Sequence, residues 1–217
     1  MKNIIYLRGR RVGSSATQGF LKSLAKANLI DKFFMPGHIP VAKSQERCKK
    51  EMGERFWIES LKCVSIRNPY GNCVSIFLHK KVFLHPHEQL ISPELDDLAQ
   101  QFRDHVKTTY REMQAFPDRI ENCREGNWQW SLYALEDKPV ADHFIFYEKP
   151  KEGLLMLCNK LGIEDIPTSV SKAIDDFAAT SRKANNKYNY RDFYDAETRQ
   201  MISELRSKEI NYFNYSF

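Results

Sequence analysis

One pattern narrows the possible folds more than any other. A short apolar run is followed by a turn of glycine, cations and hydroxyls and then by helical spacing, and this occurs twice. In residues 4–24 the run Ile4-Ile5-Tyr6-Leu7 leads into Arg8-Gly9-Arg10-Arg11-Val12-Gly13-Ser14-Ser15, after which Phe20, Leu21 and Leu24 return at helical intervals. In residues 62–78 the run Lys62-Cys63-Val64-Ser65-Ile66 leads into the polar turn Arg67-Asn68-Pro69-Tyr70-Gly71-Asn72, and a helix starts at Cys73-Val74-Ser75-Ile76. Such alternation points to parallel βαβ packing. In parallel sheets ligands gather beyond the carboxyl ends of the strands, so both turns are expected to open onto one edge.

The first turn has the chemistry of an anion site. Its backbone N–H groups can form a nest, and the helix after it adds unpaired donors and partial positive charge. Arg10, Arg11, Ser14, Ser15 and Thr17 supply side-chain donors. The plainer alternative is a basic turn capping an ordinary helix. A nucleotide-triphosphate loop would end in Gly-Lys-Ser or Gly-Lys-Thr, and neither triplet occurs. The net charge of +5 and a pI of about 8.9 suit an anionic ligand but are too weak to argue for nucleic acid.

A length of 217 residues suffices for one sizeable core, so residues 1–217 read as a single domain. The five cysteines (48, 63, 73, 123 and 158) are scattered, with no Cys-x-x-Cys. They read as reduced thiols of a cytoplasmic protein. No apolar run is long enough to span a membrane, and the first residues read as a strand, not a signal peptide.

The rest of the chain gives further expectations. Residues 29–43 read as a loop with His38 at its turn, and residues 43–60 as one helix carrying Phe56, Trp57 and Ile58 near its end. Residues 79–93, with His79, His85 and His87, read as a mobile basic substrate loop; nothing completes a metal-ligand set there, and no metal is expected. Leu95, Leu98, Phe102, Val106, Tyr110 and Met113 mark an amphipathic helix over 94–116. Trp128 and Trp130 stand in a polar stretch, suited either to stacking on sugar rings or to packing on the domain edge. Residues 143–147 read as a strand and 154–161 as a helix ended by Gly162. Residues 181–188 read as a basic loop, and a last helix runs through Ile210.

Arg11-Val12-Gly13-Ser14-Ser15 resembles the 5′-phosphosulfate loop of sulfotransferases, Lys-x-Gly-(Gly/Ser)-(Thr/Ser). Arg67-Asn68-Pro69-Tyr70, with Ser75 further on, is similar to the 3′-phosphate motif Arg-Asn-Pro-Tyr-Asp-Arg-x-x-Ser of enzymes that use 3′-phosphoadenosine 5′-phosphosulfate (PAPS). Gly71 and Asn72 depart from it, standing where that family has Asp and Arg. Residues 143–148 resemble its Phe-Ile-x-Arg-Tyr-Glu-Asn-Leu strand, and the tail resembles that of carbohydrate sulfotransferases. Gly37-His38-Ile39 matches the Gly-His-Val loop of some heparan-type members.

The resemblance implies a three-layer α/β/α fold with a central parallel sheet, close to that of P-loop nucleotide kinases. It implies transfer of a sulfuryl group from PAPS to a hydroxyl or amine of a carbohydrate-like acceptor, leaving 3′-phosphoadenosine 5′-phosphate (PAP), without metal or nucleic acid. It assigns Arg10, Arg11, Val12, Gly13, Ser14, Ser15, Ala16, Thr17, Arg67 and Ser75 to the nucleotide, and Arg182 and Lys187 to a basic loop over it. Trp128 and Trp130 would meet the sugar. Arg11 replaces the family's lysine as an electrostatic clamp, since an arginine does not readily give up a proton. His38 is favoured as the base, ahead of Glu46, Glu51 and His79. Two other classes remain open at this point: an ATP-using nucleotide or small-molecule kinase, and an inactive PAP-binding module.

Overall fold

The computed structural model describes residues 2–84, 94–116 and 128–217, without the side chains of 82–84 and 182–187. In chain order the elements are β1 (Asn3–Leu7), α1 (Ser14–Lys26), β2 (Lys32–Phe34), α2 (Val41–Met52), α3 (Glu54–Glu59), β3 (Leu61–Ile66), α4 (Pro69–Leu84) and α5 (Leu95–Ala115). There follow α6 (Trp128–Ser131), β4 (Ala134–Leu135), β5 (Lys138–Pro139), β6 (His143–Phe146), α7 (Pro150–Lys160), α8 (Thr168–Lys187), a 3₁₀ turn at Tyr190–Phe193, α9 (Ala196–Leu205) and α10 (Ser207–Phe213). They form two compact units, one of Met1–Arg67 with Ser131–Ala184, the other of Asn68–Trp130 with Asn185–Phe217.

The first unit is an α/β fold built on a four-stranded, wholly parallel sheet in the order β2-β1-β3-β6. Ile4, Tyr6, Cys63 and Ile145 on one face pack with Phe20, Leu21 and Leu24 of α1, Leu154, Leu157 and Cys158 of α7, and Val170, Ile174 and Phe177 of α8. Ile5, Leu7, Val64 and Ile66 on the other face are equally buried. Burial of both faces is why β1 reads as an apolar run that does not alternate; β3 is buried on both faces from Cys63 to Ile66, its Ser65 hydroxyl accepting from Tyr6.

Four expectations are corrected here. The substrate loop expected over 79–93 is helical through Leu84, as the end of α4, and 85–93 lie outside the described residues. Residues 29–43 are not all loop, because Lys32-Phe33-Phe34 pairs in parallel with β1 as an edge strand. The helix expected over 43–60 is two, α2 and α3, divided at Gly53, whose φ of 94° no helix continues through. The basic loop expected at 181–188 is, through Lys187, the last stretch of α8. Val170, Ile174, Phe177 and Ser181 hold one buried stripe and carry the helix that far.

The second unit is helical. Its core joins Phe77, Leu98, Phe102, Val106, Phe193, Ile202 and Leu205. Asn68 caps α4, its Oδ1 accepting the Tyr70 N–H at 3.0 Å, with Pro69 as the first helical residue. Asn72, where the similar motif has arginine, is fully buried. Its Oδ1 accepts from Gln129 Nε2 (3.0 Å) and from Arg206 Nη1 (3.3 Å). Arg206 is itself buried and ion-paired with Glu209.

Candidate functional site

The strand order reverses direction at β1 and β3. From β1 the chain crosses to β2 on one side, and from β3 it proceeds to β6 on the other. The turns after β1 and β3 therefore diverge at a switch point, which is where open parallel sheets hold their ligands. Because all four strands are parallel, the segments after each of them reach the same edge. These carry Arg8 to Gly13, His38, Arg67 and Tyr147.

The turn after β1 is braced from within. Ser14 Oγ donates to the Gly9 carbonyl. The Thr17 N–H donates to the Gly13 carbonyl at 3.0 Å, and Thr17 Oγ1 lies 3.3 Å from the same oxygen. Thr17 is fully buried, and its hydroxyl meets Ser65 Oγ at 2.9 Å, as does Tyr6 O–H. Val12 is buried as well, while Arg11 and Ser15 are exposed. Arg11 (φ 57°) and Gly13 (φ 81°) pass through the left-handed region on either side of Val12. Such alternation of sign is how a backbone turns successive N–H groups inward into an anion nest. Gly13 must also be glycine for space, because a β-carbon there would stand 2.5 Å from Phe177 Cε2 and 3.1 Å from Tyr147 Cδ2.

Arg67, at the end of β3, meets this turn. Its Nη1 is 3.5 Å from the Arg11 carbonyl, and its Cζ lies 4.5 Å above the centre of the Tyr147 ring. Partial desolvation by neighbours pulls the Arg11 guanidinium below its ordinary pKa, with Tyr147 acting the other way; from so high a starting value the charge persists at neutral pH.

His38 arrives from the segment after β2, and its Nδ1 is 3.1 Å from the Arg8 carbonyl. A carbonyl only accepts, so Nδ1 carries the proton and Nε2 is the basic nitrogen. Burial, and then the cations of Arg8 and Arg10, hold the imidazole below its ordinary pKa against the opposing pull of the Arg8 carbonyl. The loop is pinned on both sides of His38: Arg47 Nη1 donates to the Pro36 carbonyl at 3.0 Å, and Ser44 Oγ to the Ile39 carbonyl at 3.3 Å.

Of the other base candidates, Glu51 pairs with Arg47 at 2.7 Å on α2, Glu46 is exposed on the same helix, and His79 lies in the helical unit. Ser75 is half-buried on α4, also in that unit. Trp130 is buried there, edge to face with Tyr212 at 5.3 Å, and Trp128 is half-buried. The side chains of Arg182 and Lys187, together with His85 and His87, lie outside the described residues.

Two residues of this edge escaped the sequence reading. Arg8 fixes His38 through its carbonyl, and its Nε is buried with no hydrogen-bond partner among the described residues. Tyr147 touches both turns. Arg8 carries no motif, and Tyr147 stands in the stretch 143–148 that resembles the family strand without being singled out; only the pairing of β6 with β3, through Ile66↔Phe146, brings Tyr147 beside Arg67.

A cavity of about 500 Å³ lies at the opposite, amino edge of the sheet, lined by Lys2, Asp31, Gly162, Glu164 and Asp165 among others. Three carboxylates line it, beside Lys2. Among the described residues no cluster of histidine, cysteine, aspartate or glutamate is arranged to hold a metal, and no helix is long and apolar enough to cross a membrane. Comparison with protein-family models, with curated proteins and with solved structures returned no match to the chain.

Proposed function

We propose that the arginine edge of the sheet binds PAPS and that the protein transfers its sulfuryl group to a hydroxyl or amine of a carbohydrate-like acceptor. The observation that carries this reading is the meeting of two pinned contacts on one turn. Arg67 reaches the Arg11 carbonyl, and His38 reaches the Arg8 carbonyl. A cation cluster and a neutral base thus share the loop that the sequence motif assigns to phosphosulfate. On this reading the fold is the three-layer, nucleotide-kinase-like arrangement of sulfotransferases.

In the reaction the acceptor oxygen attacks sulfur and the bond from sulfur to the phosphate oxygen breaks. The electron pair leaves with PAP, and the acceptor proton passes to His38 Nε2. Negative charge grows on the departing phosphate, so fixed N–H donors and cations placed there lower the barrier more than they tighten ground-state binding. Arg11 supplies such a charge. PAP is a good leaving group, so a clamp that holds charge without donating a proton suffices. Ser14 and Thr17 act by shaping the turn, and Arg8 joins the cations around the anion.

The test is incubation of the protein with PAPS and a panel of glycan acceptors, read by mass spectrometry. A gain of one SO₃ on an acceptor, matched by release of PAP, is the expected result. PAP binding without turnover across the panel assigns the chain to an inert nucleotide-binding module. Magnesium-dependent transfer from ATP, without use of PAPS, refutes the reading in favour of a kinase.

A further inference from the structure

We propose that Tyr147 is a positioning residue that orients Arg67 toward the 3′-phosphate of the donor, and so sets nucleotide selectivity; this rests on the sulfuryl-transfer reading above. The Arg67 guanidinium lies over the Tyr147 ring, with Cζ 4.5 Å from its centre. Stacking uses the face of a guanidinium and keeps its N–H donors at the edge, in the plane in which a fork meets an oxyanion; one of them already faces the Arg11 carbonyl. An unstacked arginine would have to lose its rotamer freedom on binding; a stacked one has already lost it.

The ring is fixed from several directions. Tyr147 is 6% exposed. Its N–H donates to the Ile66 carbonyl at 2.8 Å, its carbonyl accepts from Ser181 Oγ at 3.1 Å, and its ring packs against Phe177 at 6.2 Å. The absence of a side chain at Gly13 admits Phe177 and Tyr147 against the turn after β1. One buried ring therefore sets both the orientation of Arg67 and its placement against the Arg11 carbonyl.

The experiment titrates PAP and ADP against the wild-type protein, Tyr147→Phe, Tyr147→Leu and Arg67→Lys. The wild type should prefer PAP. Tyr147→Phe keeps the aromatic face and should keep the preference. Tyr147→Leu should weaken PAP binding by about two- to thirty-fold, the range of a cation–π contact between exposed and desolvated settings, and leave ADP binding unchanged. Arg67→Lys leaves the ring but removes the planar fork, and should lose the preference too; if Tyr147→Leu does not fold, Tyr147→Met, which fills more of the ring's space without an aromatic face, takes its place in every comparison and should show the same loss. A wild-type ratio of affinities in Tyr147→Leu or in Arg67→Lys overturns the proposal, as does a loss in Tyr147→Phe equal to that in Tyr147→Leu. A wild-type protein with no preference for PAP overturns the nucleotide reading itself, and this inference with it.

Discussion

Gly13→Ala is expected to destabilise the protein through two separable effects. The native φ of 81° lies in the left-handed region, which costs a residue with a β-carbon about 1–2 kcal/mol. That β-carbon would also stand 2.5 Å from Phe177 Cε2, closer still to Cζ, and 3.1 Å from Tyr147 Cδ2. Both rings are buried, and forcing a methyl group into a packed site costs about 1–3 kcal/mol. Together the cost is about 2–5 kcal/mol, a large part of the roughly 5–15 kcal/mol of a typical domain. For a chain of this length each kcal/mol moves Tm by about 2–4 °C, so thermal melts followed by circular dichroism should show a fall of about 4–20 °C. Adding Phe177→Leu should recover the packing part and leave the backbone part. Gly19→Ala is the control. It lies in α1, the helix that Gly13 precedes, with no atom within 4 Å of its would-be β-carbon, and should stabilise by about 0.5–1 kcal/mol. A Gly13→Ala protein melting with the wild type would refute the account of how this turn is packed.

Three further perturbations test other parts of the account. His38→Ala should leave PAP affinity unchanged and lower turnover by about 100- to 10,000-fold; burial and the Arg8 and Arg10 cations place the acid limb of the wild-type rate below the ordinary imidazole value of 6.5, and turnover within a few-fold of wild type would remove His38 from the mechanism. His38 and His143 are both held below that value, chiefly by burial, so the unfolded chain takes up protons first. Stability should be full above about pH 6.5 and fall as pH drops toward the folded-state values; His143→Gln should flatten that slope in urea titrations, and an unchanged slope would contradict it. Glu209→Ala leaves the buried Arg206 guanidinium without its ion-pair partner and should cost about 3–5 kcal/mol; an unchanged urea midpoint would show that the charge is accommodated otherwise.

The sequence and the structure agree where local pattern and tertiary position coincide. The two strand–turn–helix units were legible because their apolar runs are buried on both faces and their turns carry glycine, proline and cations. What was not legible depends on partners distant in the chain. Lys32-Phe33-Phe34 is a strand only because β1 lies beside it. The β4–β5 hairpin turns on Glu136 and Asp137, both at positive φ, where glycine or asparagine would have announced the turn. At 181–187 the charges read as a loop, while the buried stripe of α8 decided otherwise. Within the candidate site, Arg11, Gly13, His38 and Arg67 stood out by residue type and order. Arg8 and Tyr147 make their contacts through a carbonyl and a ring face, which are set by strand pairing and by which carbonyl a neighbouring loop meets.

The most direct measurement of the central claim is a pair of thermal melts, with PAP and with ADP at matched concentration. Both nucleotides carry two phosphates, but PAP has its second at the 3′ position for which Arg67 is assigned, and ADP has it on the 5′ side. At a concentration near 100 times its dissociation constant, PAP should stabilise the fold by about 2.7 kcal/mol, seen as a clear rise in Tm, and ADP should give a smaller rise. Equal rises with the two nucleotides, or none with either, would contradict the assignment of this arginine edge to PAPS.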